Sequence, residues 1–471
     1  MIYIVQPGDT VTSIASDYNL SPNRLRYDNQ LALTDTLVIG QALLILPAEV
    51  IHQVQPGETA FSIARQYGIT VRELLQRNPF LAQNIRPASS LLPGPPRPIQ
   101  PPFAESPVPE SSAPGLPSPK NRQSARSAIT GAIPLTPGQF LVIEYAEQSN
   151  EPTALEGYAY PFIRQTILRE ALPCLHSLYV FSYGFTPTGR LVEPMNARFL
   201  INKAQTFGAN PIMVLTPMSE GGAFNSSLIT ILVNDPQIQE TLIDNLLTTA
   251  ERMGYTGIDV DFEFIPARDR DAYTTFVANL AERAHQVGLT VSVALPPKTS
   301  AEQRGLLYEG IDYGGLGAVT DQVLLMTYEW GYTYGPPLAV APIPNVRRVI
   351  EYALTEIPAD KIFLGIPNYG YDWPLPFVRG TTAASTIGNA QAIDIARANN
   401  AEIQFDEQSQ APWFSYRADG GEHVVWFEDV RSICAKFDLI SEYGLAGGGY
   451  WNLMREFRAN WILAGARFSL T

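Results

Sequence analysis

The stretch that decides the fold is GIDVDFE, residues 257–263, in which three carboxylates alternate with apolar side chains. A β-strand projects alternate residues to the same face. The pattern therefore predicts a strand with Asp259, Asp261 and Glu263 on one face and the intervening apolar side chains on the other. Three like charges on one face cost free energy, so we expect this face to perform acid–base chemistry.

Seven further short β-rich runs follow residue 138, with helical stretches between them. They are residues 140–144, 177–181, 212–215, 289–294, 322–326, 362–366 and 447–451. Helical periodicity is clearest over residues 238–250 and 272–284. Eight successive strand–helix units predict an α/β fold, a (β/α)8 TIM barrel over residues 138–471.

The longest interval in this pattern lies between the seventh and eighth strands, at about residues 376–440. Residues 402–405 and 424–427 within it have the composition of strands. They predict a small α+β insertion that forms one wall of a cleft.

An internal repeat precedes the barrel, since VQPGDT at residues 5–10 recurs as VQPGET at residues 54–59. Each copy predicts a β-α-α-β module with a Pro-Gly turn and a threonine helix cap. We place the modules at residues 1–48 and 50–95, the second closing weakly at residues 91–93. The Pro- and Ser-rich residues 96–137 cannot bury enough apolar surface to fold. They predict a linker that lets the modules hold a polymer while the barrel works nearby.

Charge and composition exclude several classes of partner. The net charge of −14 argues against nucleic acid or an anionic membrane surface as a partner. Four histidines without a CxxC or HExxH pattern make a catalytic metal improbable. The N-terminus lacks the basic and apolar segments of a signal peptide, and no apolar run reaches the length of a membrane span. We expect a monomer that needs no metal or organic cofactor.

The two repeated modules resemble the LysM family in the PGDT and PGET turns and in the SIA sequence that follows each of them. The resemblance implies binding of glycans that contain N-acetylglucosamine, usually peptidoglycan or chitin. It also implies that the sugar lies against the first strand–helix turn of each module. In this sequence the turns consist of Gly8, Asp9, Thr10, Gly57, Glu58 and Thr59.

Residues 256–263 resemble the DxxDxDxE signature of glycoside hydrolase family 18, with Thr256 in place of the first Asp. The resemblance implies that Glu263 protonates the glycosidic oxygen and that the 2-acetamido carbonyl of the substrate attacks the sugar, in place of a second carboxylate. Asp261 would orient the acetamido group, and Asp259 would support Asp261. We expect Thr256 to be the deepest and least chemical position of the signature.

Two later stretches resemble other parts of that family. MTYE at residues 326–329 resembles its sixth-strand motif, which implies that Tyr328 holds the acetamido carbonyl. Glu329 would bind substrate where the family more often has Asp. GGGYW at residues 447–451 resembles the end of its eighth strand, which implies that Trp451 forms the apolar floor under the sugar ring.

The sequences of residues 261–266, 326–337 and 450–454 resemble one group within the family, the spore cortex-lytic N-acetylglucosaminidases of the SleL/YaaH type. The resemblance implies a retaining N-acetylglucosaminidase that acts on spore cortex peptidoglycan. It also implies synthesis in the mother-cell cytoplasm and deposition in the spore coat or cortex. Two alternatives stay open: a chitinase or endo-N-acetylglucosaminidase of the same family, and a non-catalytic glycan-binding coat protein. The presence of Glu263 argues against the second.

Overall fold

The computed structural model describes residues 1–85, 129, 133–149, 151–418 and 420–470. Most of the predicted linker, residues 96–137, lies outside the described residues. Within the described part of the chain, no helix is both long and apolar enough to cross a membrane.

The first module is a two-stranded antiparallel sheet with two helices between its strands. Strands Ile2–Ile4 and Ala42–Leu44 pair, and helices Val11–Asp17 and Pro22–Asp28 lie between them in the chain. The first helix begins where the Thr10 side chain accepts a hydrogen bond from a backbone N–H of the first turn. A helix cannot satisfy these N–H groups internally, so the cap sets its start.

The second module begins in the same way but closes with a distant strand. Its described elements are strand Ala48–Gln53, helices Ala60–Gln66 and Val71–Arg77, and the 3₁₀ helix Pro79–Asn84. The strand that pairs with Ala48–Gln53 is Phe140–Tyr145, in antiparallel register. The predicted closing residues 91–93 lie outside the described residues, and the prediction of 140–144 as the first barrel strand is wrong.

One asparagine in each module shows that the two closing strands are equivalent. In the first module, Asn29 Nδ2 donates to the Leu44 carbonyl at 2.9 Å and the Leu44 N–H donates to Asn29 Oδ1 at 2.7 Å. In the second, Asn78 makes the same pair of bonds with Val142, at 2.7 and 2.9 Å. A short apolar run has the same composition in a module or a barrel, so its own sequence could not predict this partner.

The domain that follows the two modules is a closed parallel barrel of eight strands, as predicted. Its strands are Glu151–Ala159, Ser177–Phe185, Asn210–Leu215, Gly257–Val260, Thr290–Leu295, Gln322–Leu325, Ile362–Pro367 and Gly447–Trp451. The first strand closes the barrel by pairing in parallel with both the second and the eighth. A Cβ on Gly447 would lie 1.8 Å from the Ala154 carbonyl oxygen, so this closure requires glycine there.

Helices cover the outside of the barrel. The α-helices are Gln165–Ala171, Ala197–Phe207, Ser227–Val233, Pro236–Met253, Arg270–Gln286, Tyr313–Val319, Ile343–Ala353, Val430–Tyr443 and Arg458–Arg467. Short 3₁₀ helices occur at Leu172–Cys174, Ala267–Asp269 and Ala359–Lys361. The small strand Phe468–Leu470 pairs with the first barrel strand, and Leu191–Val192 pairs with the second. The helices predicted over residues 238–250 and 272–284 are confirmed and run slightly longer.

The predicted insertion between strands seven and eight is an antiparallel five-stranded sheet with one helix, Asn389–Ala398. Its strands are Gly370–Leu375, Ser385–Ile387, Gln404–Asp406, Ala411–Ala418 and Gly421–Trp426. It therefore starts near residue 370, earlier than the predicted 376, because the chain turns directly from the seventh barrel strand into the new sheet.

Both modules pack directly against the barrel domain, contrary to the expectation of modules separated from it by a linker. Arg458, on the last helix, donates to the Tyr27 carbonyl at 2.8 Å and covers the Tyr27 ring. Gln76 of the second module donates to the Pro173 carbonyl at 2.8 Å.

The first module also contacts the insertion. The Ile403 N–H donates to the Ile39 carbonyl at 2.9 Å. Gly40 has φ +81°, and a Cβ there would lie 1.9 Å from the Ile403 oxygen. Val38 is buried in the apolar core of the insertion. The modules and the barrel therefore share continuous interfaces.

Candidate active site

The predicted carboxylate stretch lies at the carboxyl end of the fourth barrel strand. The regular strand ends at Val260, but the Asp261 N–H still donates to the Leu215 carbonyl at 2.9 Å, so the alternation continues. Phe262 points outward and stacks on Phe276 of the covering helix, with ring centroids 6.1 Å apart. The three carboxylates accordingly face the barrel interior at the end where TIM-barrel sites occur.

Asp259 is the innermost of the three, and its side chain is fully buried. It accepts hydrogen bonds from Tyr158 Oη at 3.0 Å and from Ser292 Oγ at 2.6 Å, from the first and fifth strands. Burial raises the pKa of Asp259 to about 6, and the two hydrogen bonds oppose that rise. Asp259 therefore ties three strands together beneath the site.

Asp261 and Glu263 differ from Asp259 because neither receives a hydrogen bond from the part of the chain that the structure describes. Asp261 Oδ1 is buried without a partner, and among the described residues no hydrogen bond engages the Glu263 carboxylate. Burial, followed by the charges of Glu263 and Asp259, raises the pKa of Asp261 well above its usual range. Burial and the charge of Glu329 raise the pKa of Glu263. The site thus favours a shared proton at this pair.

Thr256 lies at the opposite end of the same strand and is exposed. Its hydroxyl donates to the Pro211 carbonyl at 3.2 Å. The expectation that this position is the deepest was wrong, because it precedes the strand and reaches the bottom rim of the barrel. Its substitution lies far from the carboxylates at the mouth.

Tyr328 follows the sixth strand and is buried, with 7% of its surface exposed. Burial and then the charge of Asp261 raise its pKa well above the usual range, so the phenol stays protonated. No hydrogen bond within the described chain occupies its hydroxyl. A Cβ on Gly365 of the seventh strand would lie 2.8 Å from the Tyr328 ring, so that glycine makes room for the tyrosine.

Glu329 adopts a left-handed backbone with φ +68°, a conformation that costs a non-glycine residue free energy. The Tyr371 hydroxyl donates to its two carboxylate oxygens at 2.9 and 3.0 Å, and the Tyr369 hydroxyl donates to one of them. Burial raises the pKa of Glu329, while these two hydrogen bonds oppose the rise. The two tyrosines therefore hold the Glu329 carboxylate in place, and its charge acts on Glu263.

Trp451 ends the eighth strand and belongs to an aromatic cluster. Its ring centroid lies 4.9 Å from that of Phe181, 5.7 Å from that of Tyr158 and 6.5 Å from that of Tyr160. The indole is half-buried, so one part of it packs while another faces the cleft. An apolar surface of this kind suits the C–H face of a pyranose ring.

Two of these side chains, Glu329 and Trp451, border a cleft of about 320 Å³. Tyr371 and Thr386 of the insertion line this cleft, in agreement with the prediction that the insertion forms one of its walls. The other lining residues are Tyr160, Phe162, Tyr369, Asn452, Met454 and Arg455. No cluster of His, Cys, Asp or Glu suited to a metal ion occurs among the described residues.

The six predicted glycan-binding residues of the modules lie in two separate surface turns. Gly8, Thr10, Gly57 and Thr59 are exposed, whereas Asp9 and Glu58 are half-buried. Asp9 Oδ2 accepts from the Gln6 N–H and the Tyr3 hydroxyl, each at 2.7 Å. Glu58 Oε2 accepts from the Gln55 N–H at 2.7 Å and lies 2.7 Å from His52 Nε2. Within the described residues no hydrogen bond joins either turn to the barrel carboxylates.

Sequence reasoning missed several polar groups of the barrel. Glu156, on the first strand, is fully buried and accepts from the Tyr179 hydroxyl at 2.9 Å. It escaped notice because the first strand was assigned to residues 140–144. Tyr369 and Tyr371 also escaped, although their alternation just beyond the seventh strand was a usable signal.

Comparisons with known proteins agree with this geometry. Residues 211–456 match the family model "Glycosyl hydrolases family 18", and residues 3–46 and 52–94 match the LysM domain. The "Cortical fragment-lytic enzyme" of Bacillus subtilis is 45% identical over 309 residues, 65% of this chain and 71% of that protein. The "Putative sporulation-specific glycosylase YdhD" of the same species is 31% identical over 464 residues, 98% of this chain and 97% of that protein.

Among solved structures, the "spore cortex-lytic enzyme SleL" of Bacillus cereus superposes with a TM-score of 0.76 and 32% identity, covering 100% of this chain and 98% of that one. Both the sequence match and the superposition include the barrel and its carboxylate stretch. The chain therefore belongs to glycoside hydrolase family 18, carries LysM domains in addition, and is a glycoside hydrolase.

Proposed function

We propose that the protein is a retaining N-acetylglucosaminidase of spore cortex peptidoglycan that cleaves after N-acetylglucosamine. The observation that carries the proposal is the half-buried pair Asp261 and Glu263 at the barrel mouth, whose carboxylates accept no hydrogen bond from the described residues and have raised pKa values. Two relatives bear the names cortical fragment-lytic enzyme and spore cortex-lytic enzyme, and these names support spore cortex as the substrate.

In the proposed mechanism Glu263 is the general acid. Burial and the charge of Glu329 raise its pKa and so favour the protonated carboxyl group, which can then protonate the glycosidic oxygen. The glycosidic bond breaks as the acetamido oxygen of the substrate bonds to the anomeric carbon. Water then attacks this oxazolinium ion, and the Glu263 carboxylate takes the water proton.

The neighbouring side chains hold the acetamido group for this attack. Asp261 accepts its N–H and offsets the positive charge of the oxazolinium ion, while the free hydroxyl of Tyr328 donates to its carbonyl oxygen. Trp451 supports the sugar ring from below. Glu329 binds a substrate hydroxyl, and its attachment to Tyr369 and Tyr371 makes it a poor nucleophile. These assignments need no second catalytic carboxylate.

We further propose that the two LysM modules hold the enzyme on the glycan through their exposed turns. The strand pairing of Phe140–Tyr145 supports a second module that includes residues 133–145. On this proposal the segment rich in Pro and Ser interrupts the second module instead of joining it to the barrel. The boundaries 50–95, 96–137 and 138–471 would change accordingly, whereas 1–48 would stand.

The test is digestion of purified cortex fragments by the wild type and by Glu263→Gln, with products reduced by borohydride and weighed by mass spectrometry. We expect N-acetylglucosaminitol, the reduced form of N-acetylglucosamine, at the new chain ends from the wild type only. Reduced muramic acid would identify a different bond specificity and contradict it. Binding of both proteins to the glycan without cleavage by either would favour a glycan-binding coat protein, and cleavage of chitin oligomers alone would favour a chitinase.

A further inference from the structure

The cleft contains a cation that the proposed mechanism does not use. Arg455 lies four residues beyond Trp451 in the loop after the eighth strand, and it lines the same cleft as Trp451 and Glu329. It is the one cationic side chain among the described residues that line this cleft. The side chain is half-buried.

No carboxylate neutralises this cation within the described part of the chain. The neighbouring arginines do have such partners, since Arg458 pairs with Glu170 at 2.6 Å and Arg164 pairs with Glu456 at 2.9 Å. The hydrogen bond found for Arg455 runs from Nη2 to the Thr386 carbonyl, a long contact at 3.3 Å. Most guanidinium N–H donors of Arg455 therefore remain available.

The insertion holds the stem of this arginine in place. A Cβ on Gly388 would lie 3.3 Å from Arg455 Cδ, so the aliphatic part of the side chain packs closely over that glycine. Thr386 and Gly388 belong to the same edge of the insertion, beside the cleft wall. The guanidinium is thus positioned by packing before any ligand binds, which lowers the entropy lost on binding.

We propose that Arg455 recognises a carboxylate on the sugar that adjoins the N-acetylglucosamine held over Trp451. The inference rests on the proposed function, because that neighbour is then a muramic acid. Its 3-O-lactyl arm bears a carboxylate, either free or on the first amino acid attached to it. A chitin chain has no such group, so Arg455 would be a residue that determines specificity.

Charge explains why such a residue is needed. The protein carries a net charge of −14, and Glu329 lines the same cleft as Arg455. An anionic substrate would be repelled by this surface. A guanidinium matches a carboxylate with two parallel hydrogen bonds, which gives both charge compensation and orientation.

The test compares three substrates: a cortex tetrasaccharide whose lactyl arms carry L-alanine, its methyl ester, and the neutral chitin tetramer. The wild type should show a lower KM for the acid than for the ester, with kcat/KM higher by about tenfold, as expected for a charge-assisted hydrogen bond. Arg455→Gln should lose this preference by a rise in KM for the acid alone. Arg455→Lys should keep part of it, because the charge remains and the paired geometry does not.

The outcomes separate this inference from the proposed function. Equal kcat/KM of the wild type for acid and ester would overturn the role of Arg455 while leaving the glucosaminidase in place, and this arm does not depend on any variant. An equal loss by Arg455→Gln on all three substrates would indicate a structural role and would also overturn it. Failure of the wild type to cleave either cortex substrate would instead overturn the proposed function.

Discussion

The polar side chains of the barrel mouth and those of the two modules show opposite arrangements. At the mouth, Asp261 and Glu263 are half-buried, and within the described residues neither carboxylate accepts a hydrogen bond. In the modules, Asp9 and Glu58 each accept a backbone N–H and contact a strand side chain. Residues of both kinds were selected from the sequence as functional.

The difference teaches how a carboxylate is used. A carboxylate that accepts several N–H or O–H groups is held in its charged form and sets the geometry of a turn. A buried carboxylate without donors is unfavourable for folding, and proteins keep such groups mainly at functional sites. In this chain the module acids therefore build the turns, while the exposed atoms around them remain available for glycan contact.

Among variants that test this difference between the two regions, Asp261→Asn should change activity most. Loss of the charge that offsets the oxazolinium ion should lower kcat on cortex fragments by about 10²–10³-fold. The melting temperature should not fall, since Asp261 Oδ1 is buried and has no hydrogen-bond partner among the described residues. Steady-state kinetics and calorimetry on the full chain measure both quantities. Retained kcat, or a large loss of stability, would break the comparison.

The next effect concerns the asparagines that hold the closing strands. Asn78→Ala removes the hydrogen-bond partners of the buried Val142 N–H and carbonyl groups. The free energy of local opening of this strand should therefore fall by about 1–3 kcal/mol. Hydrogen exchange of a peptide covering Phe140–Tyr145 measures it. The matched change Asn29→Ala should have a smaller effect on Ala42–Leu44, because Asn29 is only half-buried. Unchanged exchange at Phe140–Tyr145 would show that this strand does not depend on the second module.

A smaller effect is expected from Glu329→Gln on the pH profile. Glu263 must be protonated to act as the acid, so activity falls as the pH rises through its pKa. The negative charge of Glu329 helps raise that pKa. Removing the charge should therefore move the basic limb of kcat/KM to lower pH. An unmoved limb would mean that the tethered carboxylate does not influence the acid.

The smallest effect is expected from Glu58→Gln in the second module. The Gln55 N–H and then His52 hold the pKa of Glu58 below its usual value. A lowered folded-state pKa contributes stability above the unfolded pKa, and that stability is lost as the pH falls through the folded value. The difference in melting temperature between wild type and variant should thus shrink on acidification. A melting-temperature difference that stays constant with pH would contradict this linkage. The matched control is Asp9→Asn in the first module, where the side-chain partner of the carboxylate is Tyr3 in place of a histidine.

The local features of the protein could be predicted from its amino-acid sequence. Alternation in residues 257–263 predicted which side chains face the barrel interior, and the repeated VQPG turns predicted two modules with capped helices. These features depend on backbone periodicity and on capping within a few residues, so they can be read from short stretches. Seven of the eight barrel strands followed from the same kind of pattern.

Which distant segments meet became clear from the tertiary contacts. The structure assigned Phe140–Tyr145 to the sheet of the second module and Glu151–Ala159 to the barrel, and it packed the modules on the barrel domain. It also brought Tyr369, Tyr371 and Arg455 to the cleft. The physical reason is that the composition of a short stretch predicts a strand but does not specify the strand with which it pairs. That choice depends on hydrogen bonds and apolar contacts between residues far apart in the chain.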